Sequence, residues 1–137
     1  MNGIGLDCGT ATVKLAMLSQ ERELLWFKSS AHHGAAVQTV RALLGELLQA
    51  DRNACGYPVM LTGSIGNRLL DVCPGLLTLG DIPAIHRGIH LLAPEAKSVI
   101  EIGSQSARFL TGFGSELPPQ FAVNEHCAGE TGSFFED

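Results

Sequence analysis

An eight-residue pattern occurs twice in this chain of 137 residues, first at positions 7–14 and again at positions 101–108. Both copies read acid, apolar, glycine, hydroxyl, any residue, hydroxyl, apolar, base: Asp-Cys-Gly-Thr-Ala-Thr-Val-Lys and Glu-Ile-Gly-Ser-Gln-Ser-Ala-Arg. Each copy follows one short apolar run and precedes another, which predicts two strands joined by a tight polar turn. Chance rarely repeats so long a pattern in so short a chain, so the repetition predicts a duplicated fold.

The first copy carries the groups of an anion-binding turn. Gly9 lacks a Cβ, so the backbone can bend sharply and expose its N–H groups to an anion. The hydroxyls of Thr10 and Thr12 add donors, and Lys14 adds positive charge if it faces inward. Asp7, at the end of an apolar strand, stands where a carboxylate holds hydrated Mg²⁺ beside a phosphate. An ordinary hairpin with a polar tip explains this stretch alone equally well, and the second copy favours a nucleotide phosphate.

The second copy offers an equivalent set of groups. Glu101 is its candidate carboxylate and Gly103 is its turn glycine. Ser104 and Gln105 are its candidate phosphate-binding residues. Two hairpins of one design suggest a fold that binds phosphate from two sides.

A third stretch, residues 124–136, narrows the interpretation. It reads Asn-Glu-His-Cys-Ala-Gly-Glu-Thr-Gly-Ser-Phe-Phe-Glu and contains Cys127. The paired acid-x-Gly-Ser/Thr hairpins resemble the two phosphate loops of the actin-like ATPases and sugar kinases. The Cys127 stretch is similar to the Asn-acid-x-Cys-Ala-x-Gly-Thr-Gly-x-Phe segment of the 2-hydroxyacyl-CoA dehydratase activators. These ATP-driven iron–sulfur proteins are related to the benzoyl-CoA reductase ATPase subunits.

The resemblance implies an α/β fold, the ribonuclease H-like fold of the actin-like ATPases, with a mixed five-stranded sheet and flanking helices. It places a first lobe at residues 1–94. The start of a second lobe, with the second hairpin and the Cys127 segment, falls at residues 95–137. We expect this second lobe to be incomplete and the chain to be truncated, because the pattern of the first lobe restarts there and soon stops.

The resemblance also implies cofactors and partners. ATP and Mg²⁺ are the implied ligands, with Asp7 and Glu101 as catalytic carboxylates and Asp7 binding Mg²⁺ through water. Cys127 is implied as a ligand of a [4Fe–4S] cluster, which takes four thiolates and is shared across a homodimer in these activators. The implied partner is an acyl-CoA dehydratase or reductase, which receives an electron. We expect this chain by itself to bind MgATP weakly or not at all and to carry no cluster.

Four residues depart from the pattern of these activators. Glu101 stands where Asp is usual, and Glu130 replaces a small residue beside the expected cluster. Ser104 and Ser106 stand where Gly and Asp are usual. These departures keep two alternatives open: a sugar or small-acid kinase of the same superfamily, and a degenerate, non-catalytic interaction domain. A kinase needs a catalytic aspartate and a substrate pocket that the sequence does not visibly supply.

Charge and hydropathy limit the other functional classes. A formal net charge of −5 argues against a nucleic-acid or anionic-membrane surface. No apolar run approaches the roughly 18–20 residues that span a bilayer, and the start of the chain lacks the pattern of a secretion signal. These observations predict a cytoplasmic location. Cys8 is predicted to be a small buried residue, and the adjacent His32 and His33 are predicted to lie on an exposed loop.

The first lobe is predicted to run strand, strand, strand, helix, strand, helix, helix. The strands are expected at residues 3–6, 13–18, 24–28 and 57–61, and the helices at residues 34–50, 67–72 and 84–92, with Asp81 as the cap of the last. The first helix carries an apolar stripe that we expect to pack on the sheet. Its members are Val37, Val40, Leu43, Leu44, Leu47 and Leu48.

Overall fold

The computed structural model describes residues 1–104, 107–113 and 120–124. The chain forms two compact units, Met1–Asp81 and Ile82–Asp137. The lobe boundary expected after residue 94 stays a prediction. None of the described helices is long and apolar enough to cross a membrane.

The first unit begins with a three-stranded meander. β1 (Gly3–Cys8), β2 (Thr12–Leu18) and β3 (Leu24–Ala31) pair antiparallel, with β2 in the middle. Apolar residues alternate with small or polar ones along β1 and β2, so one face of these strands is buried. The buried members are Ile4, Leu6, Cys8, Val13, Leu15 and Met17. The prediction that Cys8 is a small buried residue is confirmed.

Two further strands extend the sheet on the other side of β1. α1 (Ala36–Ala50) and a short 3₁₀ turn (Arg52–Gly56) lead into β4 (Val59–Thr62), which pairs parallel with β1. α2 (Asn67–Leu70) leads to β5 (Leu77–Thr78), which pairs parallel with β4. The order β3-β2-β1-β4-β5 combines antiparallel and parallel pairs, so the predicted mixed five-stranded sheet is confirmed. β5 was not predicted, because two residues are too few to show an alternating pattern.

Helix α1 packs through a narrower stripe than the sequence predicts. Its buried residues are Ala36, Val40, Leu43 and Leu47. Leu44 is partly buried against them, whereas Val37 and Leu48 are exposed, so their predicted burial is wrong. Successive residues of a helix are rotated by about 100°, which puts Val37 and Leu48 at the edge of the stripe rather than in it. Three- and four-residue spacing therefore located the helix correctly and overestimated the width of its buried face.

The second unit contains a meander like that of the first. β6 (Ser98–Ile102), β7 (Ala107–Thr111) and β8 (Gln120–Asn124) pair antiparallel in the order β6-β7-β8. The first two strands contain the ends of the second copy of the eight-residue pattern, just as β1 and β2 contain the ends of the first. Both copies therefore form the antiparallel hairpins that the sequence predicts.

Helix α3 (Asp81–Leu92) begins with the last residue of the first unit and continues into the second. Within the second unit, the ring of His86 stacks on that of Phe113 with ring centroids 5.3 Å apart. Phe113 is buried, and it follows the end of β7 directly after Gly112. This contact joins α3 to the end of the second hairpin.

Leu47→Ala and Leu48→Ala test which stripe of α1 packs on the sheet. Leu47 is fully buried and Leu48 is 38% exposed, so only the first substitution opens a cavity in the core. We expect Leu47→Ala to lower the free energy of unfolding by about 2–5 kcal/mol, and Leu48→Ala to lower it by less than about 1 kcal/mol. Urea denaturation followed by circular dichroism measures both values. Equal losses would contradict this packing.

Candidate functional site

The two hairpins place the acid and the base of the repeated pattern directly opposite each other. Asp7 pairs with Lys14 across β1 and β2, and the Lys14 Nζ lies 3.1 Å from the Asp7 Oδ2. Glu101 pairs with Arg108 across β6 and β7, and the Arg108 Nη1 lies 3.3 Å from the Glu101 Oε2. Directly opposed side chains of an antiparallel pair interact strongly enough to influence register. The repeated sequence pattern is therefore a repeated cross-strand ion pair.

The Asp7–Lys14 pair lies on the open side of the sheet. Asp7 alternates with the buried residues Leu6 and Cys8, so its side chain points away from the face that packs on α1. The side chains of Lys14 and Asp7 are 50% and 35% exposed, respectively. Water screens an ion pair of this exposure, so the pair organises the site more than it stabilises the fold. Lys14 therefore lies beside the Asp7 carboxylate, and its expected contribution of positive charge to an anion site stays a prediction.

The turn between β1 and β2 is tight. The Gly9 N–H donates to the Thr12 carbonyl oxygen over 3.0 Å. A Cβ on Gly9 would lie 3.3 Å from the same oxygen, so a larger residue would press on the turn. Thr10 and Thr12 flank the tip and are both half-buried. Because the Gly9 N–H is used inside the turn, Gly9 contributes room for close approach rather than a free donor.

His32 lies at the candidate site, and sequence reasoning missed it. It was predicted to lie on an exposed loop, and that prediction is wrong: only 6% of the residue is exposed. β3 extends to Ala31, which pairs with Thr12. His32 therefore follows the last strand pair and lies beside the turn, where its Nε2 is 3.1 Å from the Gly9 carbonyl oxygen. A longer β3 would have indicated this position, but the sequence analysis ended that strand at residue 28 and the structure ends it at Ala31.

The end of β4 lies against the end of β1. Parallel pairing aligns Asp7 with Thr62, so both strands finish at the same edge of the sheet. The Ile65 N–H donates to the Cys8 carbonyl oxygen over 3.1 Å. Gly63 has φ +100°, and a Cβ there would lie 2.3 Å from that oxygen. Only glycine fits this position, because the backbone conformation is unfavourable for other residues and there is no room for a side chain.

Asp81 holds the chain after β4 in place. Its Oδ1 accepts hydrogen bonds from the Gly63 N–H over 3.0 Å and from the Thr62 hydroxyl over 3.2 Å. The sequence analysis expected Asp81 only to cap α3. The structure shows the first residue of α3 tied to the edge of the sheet where Asp7 lies. Sequence offered no signal for this contact, since the partners are 18 and 19 residues apart.

The Cys8 thiol has low reactivity in this environment. Burial, together with the negative charge of Asp7, raises the pKa of its thiol from 9.0 to about 11. The thiol is therefore protonated at neutral pH, and a protonated thiol is a poor nucleophile and a poor metal ligand. Cys8 serves the site by packing beneath it.

The described residues contain no group of three or more His, Cys, Asp or Glu side chains that could hold a metal ion by themselves. Mg²⁺ is usually held by one or two carboxylates together with waters and phosphate oxygens, so Asp7 fits that smaller requirement. The structure brings Asp7, Gly9, Thr10, Thr12 and Lys14 together on the first hairpin. It places Glu101, Gly103 and Ser104 at the end of β6 in the second hairpin. The predicted site residues Gln105 and Cys127, and the divergent Ser106 and Glu130, lie outside the described residues.

Gly63→Ala tests the close approach of the β4 end to β1. The added methyl group meets the backbone of Cys8 and forces an unfavourable φ, so we expect a loss of about 3 kcal/mol or more in the free energy of unfolding. Gly45→Ala in α1 is the control, because a Cβ there meets no atom within 4 Å. It should add about 0.5–1 kcal/mol through helix propensity. Chemical denaturation measures both, and a neutral Gly63→Ala would disprove the contact.

The Cys8 thiol gives a testable dependence of stability on pH. Its pKa is higher in the folded chain than in the unfolded chain, so the unfolded state releases the proton first as pH rises. This contribution to stability is complete below about pH 9 and is lost as pH approaches about 11. Cys8→Ala should flatten the alkaline fall in the free energy of unfolding, whereas Cys55→Ala, which removes an exposed thiol, should not. Identical pH profiles for the two variants would contradict the assignment.

Comparison with known proteins places this geometry in a wider context. No family model matches the sequence. The activator of lactoyl-CoA dehydratase from Anaerotignum propionicum is 25% identical over 138 residues, which cover 99% of this chain and 52% of that protein. The chain thus spans about half the length of the curated relative it matches.

Two solved structures show the fold. The activator of the 2-hydroxyisocaproyl-CoA dehydratase from Clostridium difficile, solved with bound ADPNP, is 24% identical with a TM-score of 0.74 over 99% of this chain and 50% of that one. Component A of (R)-2-hydroxyglutaryl-CoA dehydratase from Acidaminococcus fermentans is 21% identical with a TM-score of 0.78 over 99% of this chain and 52% of that one. The chain therefore has the ribonuclease H-like fold of the actin-like ATPases, and its resemblance to the 2-hydroxyacyl-CoA dehydratase activators is confirmed.

Proposed function

We propose that this chain is the part of a 2-hydroxyacyl-CoA dehydratase activator that carries the phosphate-binding hairpins for MgATP. The observation that carries the proposal is the repeated hairpin, in which the acid and the base of each copy meet across the strands. Similarity to dehydratase activators along 99% of the chain supports the same assignment. One of those activators was solved with ADPNP, a nucleoside triphosphate analogue.

In the first hairpin, each residue has a distinct role. Thr10 and Thr12 bind phosphate oxygens through their hydroxyls and the backbone of the turn, while Gly9 lets the phosphate approach. Lys14 neutralises phosphate charge, for which its place beside Asp7 and its half-exposed side chain are suitable. Asp7 holds Mg²⁺ through water. Positioning and charge neutralisation of this kind are the main requirements of phosphoryl transfer from ATP.

The second hairpin binds phosphate in the same way. Glu101 is its carboxylate, Gly103 provides the close approach, and Ser104 and Gln105 bind phosphate oxygens. Glu101 has one methylene more than the usual aspartate. Its Oε2 lies 3.3 Å from the Arg108 Nη1, but this buried oxygen accepts no hydrogen bond from the described residues. We also propose that the carboxylates of Asp7 and Glu101 are catalytic.

The iron–sulfur part of the activity rests on Cys127 and a second copy of the chain. The described cysteines do not form a cluster site: Cys8 is buried with a raised thiol pKa, and Cys55 and Cys73 are exposed without a third ligand nearby. We assign Cys127 as one ligand of a [4Fe–4S] cluster shared across a homodimer. The two copies of Cys127 supply two of the four thiolates, and in the resembled family each subunit supplies a second cysteine. Such a cluster supplies one electron to the acyl-CoA dehydratase or reductase that the activator serves.

Two alternatives differ from this proposal in measurable ways. A sugar or small-acid kinase would bind MgATP and phosphorylate a hydroxyl or carboxyl group without any iron. A degenerate interaction domain would bind neither nucleotide nor iron. MgATP binding separates the activator and the kinase from the interaction domain. Visible absorbance after anaerobic reconstitution with iron and sulfide, measured on a protein with the full length of the relatives, separates the activator from the kinase.

Asp7→Asn tests the role of the first hairpin. The matched control is Glu46→Gln, which also removes one carboxylate that is paired with a lysine, here Lys28, away from the site. MgATP at millimolar concentrations should shift the backbone amide resonances of Gly9, Thr10 and Thr12 in the wild-type chain. We expect Asp7→Asn to weaken this binding by about tenfold or more, because the carboxylate that holds Mg²⁺ is lost, and Glu46→Gln to leave it unchanged.

The titration can contradict the proposal in two ways. Wild-type amides of the hairpin that do not respond to MgATP would remove the phosphate-binding role. Equal affinity of Asp7→Asn and the wild type, with and without Mg²⁺, would remove the metal-binding role of Asp7. ATP without Mg²⁺ is the internal reference, because Asp7→Asn should then bind at least as well as the wild type.

A further inference from the structure

We propose that His32 is a positioning residue that holds the first hairpin in an anion-binding conformation. The inference rests on the proposed function, because it assigns the hairpin to phosphate. It differs from that proposal in naming a residue outside the repeated pattern and in giving it a defined tautomer. Among the described residues, His32 is the polar residue that is buried, with 6% of its surface exposed.

The hydrogen bonds of the ring determine which nitrogen carries the proton. The Gly34 N–H donates to the His32 Nδ1 over 3.1 Å, so Nδ1 acts as an acceptor. A neutral imidazole has one donor and one acceptor nitrogen. The proton therefore lies on Nε2, which donates to the Gly9 carbonyl oxygen 3.1 Å away. Both ring nitrogens of this buried side chain are satisfied by backbone groups.

The backbone of His32 contacts the same turn and the start of α1. Its N–H donates to the Ala11 carbonyl oxygen over 3.0 Å. Its own carbonyl oxygen accepts from the Ala35 N–H over 2.7 Å, directly before the first residue of α1. His32 therefore connects the tip of the hairpin to the N-terminus of the helix that packs beneath it.

These contacts occupy three carbonyl oxygens of the turn. The carbonyl oxygens of Gly9 and Ala11 accept from His32, and the Thr12 carbonyl oxygen accepts from the Gly9 N–H. A carbonyl oxygen carries partial negative charge and repels phosphate, so an anion-binding turn works only when its oxygen atoms point elsewhere. His32 directs two of these three oxygens towards the protein. With these oxygens directed away, an anion meets less repulsion at the turn.

Three variants separate the two ring nitrogens. Gln places an amide N–H near the position of Nε2 and so keeps the bond to the Gly9 oxygen. Asn places an acceptor near the position of Nδ1 and so keeps the bond from Gly34, but it is too short to reach Gly9. His33→Gln is the control at the adjacent, exposed histidine.

We expect His32→Gln and His33→Gln to bind MgATP within about threefold of the wild type, and His32→Asn to bind about tenfold more weakly, the value of one hydrogen bond. A purely structural role would lower the stability of both His32 variants without this difference in affinity. Nitrogen-15 chemical shifts of the His32 ring provide a signature that needs no ligand, and they should show the proton on Nε2.

The outcomes distinguish this inference from the proposed function. If the wild-type hairpin does not respond to MgATP, the nucleotide proposal fails. The ring shifts and the amide hydrogen exchange of residues 10–12 in His32→Asn and His32→Gln then still decide the positioning role. A proton on Nδ1, or equal MgATP affinity and equal hydrogen exchange in the two His32 variants, would overturn the inference.

Discussion

The parallel pairing of β1 with β4 is the interaction on which the candidate site of the first unit depends. It aligns Asp7 with Thr62, so the hairpin that follows β1 and the loop that follows β4 begin at one edge of the sheet. The segments that follow β1 and β4 then come so close that Gly63 has no room for a Cβ against the backbone of Cys8. Asp81 binds the Gly63 N–H from the start of α3. In an open α/β sheet the carboxyl ends of adjacent parallel strands are where ligands bind, and here three separate segments are fixed at that edge.

The second unit shows that the hairpin design is a property of the eight-residue pattern rather than of its surroundings. In both units the acid and the base are strand partners, and in both a third strand pairs antiparallel with the second. Placing the charges at opposite ends of the pattern brings them together once the chain turns back on itself. Each carboxylate therefore folds beside its own cation, which lowers the cost of holding an acid near the end of a largely apolar strand.

Local patterns predicted the fold well, and non-local contacts account for what they missed. Alternation along β1 and β2 identified the buried face, and three- and four-residue spacing identified α1. The exposure of Leu48 and the burial of His32 were missed for one reason: both depend on what another element covers. The sheet covers only a narrow stripe of α1, and the hairpin turn covers the residue that follows β3. The repeated pattern predicted which residues form the first hairpin, because their partners are close in sequence. It could not predict the contact of Asp81 with Thr62 and Gly63 at the end of β4, because these partners are 18 and 19 residues away.

The two cross-strand ion pairs also differ in solvent exposure, which bears on the roles proposed for Asp7 and Glu101. The Arg108 and Glu101 side chains are 19% and 31% exposed, and those of Lys14 and Asp7 are 50% and 35% exposed. A guanidinium that is shielded from water holds a carboxylate more firmly than an exposed ammonium, because solvent screens it less and its geometry is fixed. The Glu101 Oε2 is nonetheless buried without a hydrogen bond from the part of the chain that the structure describes, so the two copies differ chiefly in how far water screens the basic partner. The proposed assignment of Mg²⁺ to Asp7 agrees with this difference, because water screens the lysine partner of Asp7 more than the arginine partner of Glu101.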